Sequence, residues 1–381
     1  MKLAILKLGA RLSFETTQGA CPVGEAVSIV NMLADGGNDC HVYSHLIRNE
    51  STNPAPNITV HEILNESDRI NDEGYDALIV INGNLNIYGG ADNPEAILPW
   101  KIINKFAGKV FYFMCDPELP LKQIWGAINP AKRPTWTSAY TEADYVITRE
   151  DIICVSQAPN LDVVAEEVLK KPGIKMGKLV QFSFEKFPCR RPNQPPFNDR
   201  PTYALSYGGT MRNGRREKKM VKYYFGYPDN VKIEMFGKIK LEDFKPKLID
   251  GLRAPEFYGY AKYDEMLTRL NGSVAHVVIG DPLYERLNLI GQRVYESISS
   301  NCVTFIDAEL DKKRMVFGRD EGLCEFLYVN SRYEVLQRLK QLTATDGTLR
   351  AEILERQRAA VGFNDAEYLQ SLNTLIKENL K

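Results

Sequence analysis

The 381-residue chain contains no apolar run approaching the ~20 residues that a bilayer-spanning helix requires. Its opening stretch, MKLAILKLGA, lacks the apolar core and cleavage site of a secretory signal, so Met1 to Ala10 reads as a first buried strand. These absences predict a cytoplasmic protein with no membrane partner. The seven cysteines are odd in number and form no C-x-x-C pair. Most sit in apolar runs, which predicts reduced core thiols rather than a disulfide framework. Histidines number only four. His41 and His45 are four apart, yet NDCHVYSHLI reads as a strand leaving a turn rather than a metal site. No G-x-G-x-x-G follows the first strand of either half, which disfavours a dehydrogenase, and no G-x-x-x-x-G-K-[ST] marks a Walker loop. No D-x-D occurs, so charge on a leaving phosphate would fall mainly to cationic side chains; a role for magnesium or manganese stays open. Internal repeats and low-complexity tracts are absent.

A net charge of −1 argues against a protein that coats nucleic acid, but it averages over a gradient. Between Lys186 and Arg253 there are 16 Lys and Arg against 7 Asp and Glu, leaving −10 on the remainder. A basic middle in an acidic chain fits a local anion site; a solvated surface is the alternative. Short apolar strands alternate with amphipathic helices: KLAILKLGA, Gly24 to Leu33, CHVYSHLI, ITVHEIL, DALIVIN, Ala96 to Phe106, KVFYFMC, Tyr145 to Thr148, and Leu161 to Lys171. That alternation implies parallel sheets covered on both faces. FPCRRPNQPPFNDRP, with five prolines, has linker composition. Alternation resumes with TYALSY, a helix from about Arg215 to Tyr224, VKIEMF, Lys262 to Leu270, VAHVVIG, a helix near Asn288 to Ser299, and CVTFID. The tail from Tyr333 is helical, with Val335, Leu336, Leu339 and Leu342 spaced to pack.

The expected architecture is α/β: two Rossmann-like βαβ domains facing across a cleft, with the last helix packing back on the first. The boundaries read from sequence are 1–186, 187–201 (linker), 202–362 and 363–381 (returning helix). Ligands of such folds bind outside the carboxyl ends of the strands.

Three groups of residues could carry chemistry. SYGGTMRNGRREKKM follows a strand and opens a helix. Gly208 and Gly209 permit close backbone approach, Thr210 offers a hydroxyl, and a helix start supplies free N–H groups. Arg212 and Arg216, four apart, would share a helical face and grip one diphosphate; a solvated helix start is the alternative. In QRVYE, Arg293 and Glu296 share a face, the Arg suited to phosphate and the Glu to ribose hydroxyls. They could equally be a surface ion pair. Asp116, directly after VFYFMC, is placed as a general base, or else caps the following turn. The next segment, PELPLKQIWGAINPAKRPTW, supplies Leu119, Pro120, Lys122, Trp125, Lys132 and Arg133. A basic, aromatic loop suits a nucleic-acid acceptor whose base is turned out of the stack, or forms a structural lid.

At these residues the chain resembles the DNA β-glucosyltransferase family of T-even bacteriophages. The likeness runs through YDALIVINGNLNIYGG (75–90), FYFMCDPELPLKQIW (111–125), VSQAPNLD (155–162), YGGTMRNGRREKKMV (207–221) and GQRVYESISSNCVTFIDAELD (291–311). The resemblance implies an inverting transferase of the GT-B fold, its 1–186 domain acceptor-binding and its 202–362 domain donor-binding, that moves glucose from UDP-glucose to 5-hydroxymethylcytosine in double-stranded DNA, acting as a monomer in the infected host cell. It implies Asp116 as general base, and Thr210, Arg212 and Arg216 as diphosphate contacts. It further implies Arg293 and Glu296 as phosphate and ribose contacts, Glu25 as a sugar-side acid, and Ala261 beside the uracil. The first-strand loop, RLSFETTQGACPVG, departs from the family's sequence where it helps enclose the sugar. A pentose donor such as UDP-arabinose therefore stays open, as does a GT-B transferase with a non-DNA acceptor or a binding module without catalysis.

Overall fold

The computed structural model describes residues 1–7, 24–44, 55–81, 98–114, 147–170, 177–183, 195–210, 216–261, 263–344, 347–362 and 366–380. Of Glu25 and Thr210 it describes the backbone alone. The chain divides into two compact units, the first built on Pro22–Cys189 with the N-terminal strand and Asn364–Lys381, the second on Arg190–Phe363.

The first unit holds seven strands: β1 (Lys2–Lys7), β2 (Asp39–Ser44), β3 (Ile58–Glu62), β4 (Ala77–Ile81), β5 (Lys109–Met114), β6 (Ile153–Ser156) and β7 (Lys178–Gln181). Their order is β3-β2-β1-β4-β5-β6-β7, and every pairing is parallel. A parallel sheet is buried on both faces, which is why ALIVI of β4 shows no polar alternation and is wholly buried. Helices α1 (Gly24–Asp35), α2 (Ile63–Glu66), α3 (Arg69–Asp72), α4 (Leu98–Lys105) and α5 (Leu161–Val163) belong to this unit, α5 continuing as a π-helical stretch over Val164–Lys170. The predicted strand at Tyr145 to Thr148 is not one in its described part. Ile147 and Thr148 are irregular, and the strand falls at Ile153–Ser156, where four consecutive residues are buried.

The second unit carries β8 (Tyr203–Thr210), β9 (Ile233–Lys238), β10 (Glu256–Gly259), β11 (Ser273–Val278), β12 (Val303–Asp307) and β13 (Tyr328–Val329), ordered β10-β9-β8-β11-β12-β13 and again parallel throughout. Its helices are α6 (Glu217–Tyr224), α7 (Pro246–Ile249), α8 (Tyr263–Asn271), α9 (Pro282–Leu287), α10 (Arg293–Ser299), α11 (Glu321–Leu327), α12 (Arg332–Ala344) and α13 (Thr348–Val361). The helix expected near Asn288 to Ser299 is α10, which starts later, at Arg293, and a separate helix, α9, precedes it. Asn288 adopts φ 52° and closes α9, because an asparagine tolerates the left-handed conformation that stops a helix.

The last helix, α14 (Ala366–Leu380), packs on α1. Its Leu372 and Ile376 are fully buried in one cluster with Ala26, Ile29, Val30 and Leu33. Asn373 donates to the Gly36 carbonyl at 3.1 Å and accepts from Asn38 at 3.0 Å, satisfying polar groups that the apolar contact buries. Cys40, Cys154, Cys302 and Cys324 are buried free thiols, and burial pushes Cys154 up to about 12. His41 lies in β2 with its ring stacked on that of His61, Nδ1 to Nε2 3.0 Å, and His61 meets Glu66 at 2.9 Å. His45 lies outside the described residues.

His276 of β11 is fully buried, its Nδ1 donating to the Ser206 carbonyl at 2.8 Å. Burial, reinforced by the charge of Arg293, drives its pKa down to about 3. The ring is therefore neutral in the folded state but protonates below the ordinary value when unfolded. Stability contributed by the neutral ring is complete above about pH 6.5 and is lost as pH falls toward 3, at roughly 1 kcal/mol per pH unit. Chemical denaturation across this window should show a shallower acid loss for His276→Gln than for the wild type; equal slopes would contradict the assignment.

Candidate active site

In a sheet ordered β9-β8-β11-β12, the chain leaves β8 and β11 in opposite directions, the point at which folds of this kind open a crevice outside the carboxyl ends of the strands. The residues at and just beyond those two strand ends define the site. β8 is longer than TYALSY predicts and takes in Gly208, Gly209 and Thr210, which register against Phe236, Gly237 and Lys238 of β9. The glycines are therefore strand residues, required by close packing. A Cβ on Gly208 would lie 2.4 Å from the Phe236 ring, and one on Gly237 (φ 116°) would lie 1.8 Å from the Gly209 carbonyl oxygen.

Arg216 does not lie inside a helix as expected. It is the N-cap of α6, which begins at Glu217, so the argument that Arg212 and Arg216 share a helical face does not hold; Arg212 lies outside the described residues. Arg216 instead turns toward the start of α9. Its guanidinium sits 5.6 Å from the centre of the Tyr284 ring and 4.0 Å from Asp281 Oδ2. Asp281 lies just beyond the β11 exit, where Pro282 at the first helical position and a capping Asp define a helix start. Its Oδ1 accepts from the backbone N–H of Leu283 and Tyr284, both at 3.1 Å. Asp281 is 1% exposed, and its Oδ2, like Arg216 Nε, has no hydrogen-bond partner among the described residues. Opposite charges thus face one another across a gap too wide for a hydrogen bond.

One turn further along α6, Lys219 meets three carboxylates: Glu285 Oε1 at 2.5 Å, Glu309 Oε2 at 3.0 Å, and Asp307, the fully buried last residue of β12. Tyr223 donates to Asp307 at 2.6 Å and Lys222 adds charge at 3.7 Å. Burial alone would lower the Lys219 pKa, but its hydrogen bond to Asp307 and the adjoining Glu285 carboxylate outweigh it and push it up to about 12. Glu285, Asp307 and Glu309 lie close enough together to hold a metal ion, and among the described residues they are the one group that does. The Lys219 ammonium already touches all three, so this cluster does not fit a divalent cation.

Beyond the crevice, Arg293 and Glu296 open α10 and pair at 2.9 Å, with Glu296 8% exposed. Met266 sulfur also meets Arg293. Ala261 packs beside Phe236, Met266 and Leu267, which brings it near the same edge. Gly209 and the backbone of Thr210 end β8, and the backbone of Glu25 lies in the first turn of α1. Asp116, Leu119, Pro120, Lys122, Trp125, Lys132 and Arg133 lie outside the described residues. Sequence reading missed Asp281, Glu285, Asp307 and Lys219; the Asp-Pro after an apolar strand was a visible helix start, but nothing in sequence paired it with α6.

A sequence profile described as Bacteriophage T4 beta-glucosyltransferase matches residues 1–191. Over 365 residues the chain is 30% identical to the DNA beta-glucosyltransferase of Enterobacteria phage T4, spanning 94% of this chain and 93% of that one. The chain belongs to the bacteriophage T4 β-glucosyltransferase family. The T4 enzyme in complex with UDP-glucose matches it with a TM-score of 0.74 at 26% identity, and the T4 enzyme with UDP and Mn2+ with 0.75 at 27%, each over 100% of both chains. The two parallel sheets are those of a GT-B glycosyltransferase.

Because a side chain at Gly237 would collide with backbone rather than with a movable side chain, Gly237→Ala should destabilise the second unit by roughly 2 kcal/mol or more. Urea unfolding checks this, and an unchanged midpoint contradicts the packing described.

Proposed function

We propose that this family member transfers glucose from UDP-glucose to the hydroxymethyl group of 5-hydroxymethylcytosine in double-stranded DNA, with inversion at the anomeric carbon. The observation that carries the reading is Arg216 beyond the end of β8, which stands with an unmet hydrogen-bonding capacity in a chain 30% identical to a DNA β-glucosyltransferase. Relatives of this chain have been solved with UDP-glucose and with UDP and manganese. Arg212, Arg216 and Arg293, with Gly209 and Thr210 at the strand end, are assigned to the diphosphate. Charge-assisted bonds from arginine are the strong ones, and they gain strength as negative charge collects on departing UDP. Glu296 is assigned to the ribose hydroxyls, Ala261 to the uracil and Glu25 to the sugar.

Asp116 is assigned as general base. It takes the proton of the hydroxymethyl group; the freed oxygen bonds to the anomeric carbon as the bond from that carbon to the diphosphate breaks, and UDP leaves with the electron pair. Direct attack from the face opposite the leaving group inverts the centre. Leu119, Pro120, Lys122, Trp125, Lys132 and Arg133 are assigned to DNA, where aromatic and basic side chains stack on and neutralise a strand that presents its base. The carboxylates beside Lys219 are paired with its ammonium.

Removing a base costs about 10²–10⁴-fold in rate without touching the nucleotide. Asp116→Ala should therefore bind UDP as the wild type does and lose turnover on hydroxymethylated DNA, measured by mass of the released nucleosides; wild-type turnover would end the assignment. Arg216→Ala should weaken UDP by about 2–3 kcal/mol in calorimetric titration, the scale of a lost charge-assisted bond. An unaltered titration would remove Arg216 from the diphosphate site. A donor panel including UDP-arabinose, with plain and hydroxymethylated DNA, should give product only with UDP-glucose on modified DNA.

A further inference from the structure

Arg216 and Lys219 are three residues apart at the start of α6, and Asp281 and Glu285 are four apart at the start of α9. The two helices are cross-linked by two rungs of opposite charge, and the rungs differ. The Arg216–Asp281 rung is open at 4.0 Å and makes no hydrogen bond. The Lys219 rung is closed on Glu285, Glu309 and the buried Asp307. Lys219 belongs to the basic run RNGRREKK, and from sequence it would count as one more cation for an anionic ligand. Its ammonium is spent inside the protein instead.

We infer that Lys219 is a positioning residue for nucleotide binding: its ammonium, held by Asp307 and Glu285, pins the first turn of α6 to the carboxyl end of β12 and to α9 and so fixes where Arg216 stands. The inference rests on the reading of Arg216 as a diphosphate contact. The chemistry supports positioning over direct contact on two counts. An ammonium has three donors, and three carboxylate oxygens already surround them. The surrounding acidic groups Glu285, Asp307 and Glu309 would also repel a diphosphate that approached Lys219 directly. Arg216, without a fixed hydrogen bond of its own on Nε, depends on its helix for placement.

The test is a UDP titration and donor kinetics on full-length Lys219→Met, Lys219→Arg and Glu285→Gln. A pinned helix end predicts that Lys219→Met raises the UDP Kd and the donor KM about tenfold, with kcat/KM falling at least as far because Arg216 meets the departing diphosphate as well as the bound one. Lys219→Arg, which keeps the charge among the carboxylates, should restore most of the affinity. Glu285→Gln removes one carboxylate without vacating the ammonium's seat and should raise the Kd in the same direction by about threefold, which reads the effect even where the methionine variant does not accumulate. Three results overturn the inference: a lower melting temperature with unchanged UDP affinity, a lost kcat with unchanged KM, or no difference between methionine and arginine. The donor-site reading is judged separately. UDP affinity that responds to Arg216→Ala but to neither Lys219 nor Glu285 variants sinks this inference alone, whereas insensitivity to Arg216→Ala sinks the reading beneath it.

Discussion

The Lys219 ammonium, enclosed by Glu285, Asp307 and Glu309, joins three elements that would otherwise repel or drift. Asp307 is fully buried, and a carboxylate without a partner there would cost several kcal/mol of desolvation. Lys219 on α6 supplies the balancing charge, and Glu285 on α9 shares it. The start of α6 and the start of α9 are thereby held side by side at the point where the strand order reverses. Everything proposed for the nucleotide depends on that juxtaposition, because it decides which charged groups accompany β8 and β11 into the crevice. The cation–carboxylate cluster is part of the fold; the open Arg216–Asp281 pair one turn away is what remains for a ligand.

Close backbone packing works to the same end. The β8–β9 pair can bring Gly209 and Gly237 together only because Gly237 carries no side chain. Phe236 fills the space over Gly208, and Ala261 joins its cluster, so the strand ends and the outer edge of the crevice form one packed block. Arg293 and Glu296 at the start of α10 complete the set of charged groups on this edge, with Glu296 nearly buried and committed to the arginine. An arginine so held is oriented in advance, which would reduce the ordering cost of binding the phosphate proposed for it.

Much of this was legible in the sequence, for reasons tied to particular residues. Runs such as ALIVI and KVFYFM could only be strands covered on both faces, and the two parallel sheets result from their alternation with helices. Arg293 and Glu296 were read as sharing a face because their spacing was local, and they do pair. What failed was non-local or lay at element ends. GGT lies beyond the strand TYALSY as the sequence reads, with its glycines there for close backbone approach, yet pairing with Phe236, Gly237 and Lys238 makes these residues part of β8. Arg216 was placed within a helix because RREKK favours one, but the helix starts a residue later. Asp281, Glu285 and Asp307 come from distant parts of the chain, so no spacing rule could gather them around Lys219.

The central claim is that the nucleotide diphosphate seats at the carboxyl ends of β8 and β11, between the starts of α6 and α9. Amide hydrogen exchange measured with and without UDP tests it most directly, because bound diphosphate must slow exchange where it touches. The account predicts protection concentrated in peptides covering Arg216–Tyr224, Asp281–Leu287 and Arg293–Ser299. Protection that falls elsewhere and leaves these three segments unchanged would contradict it.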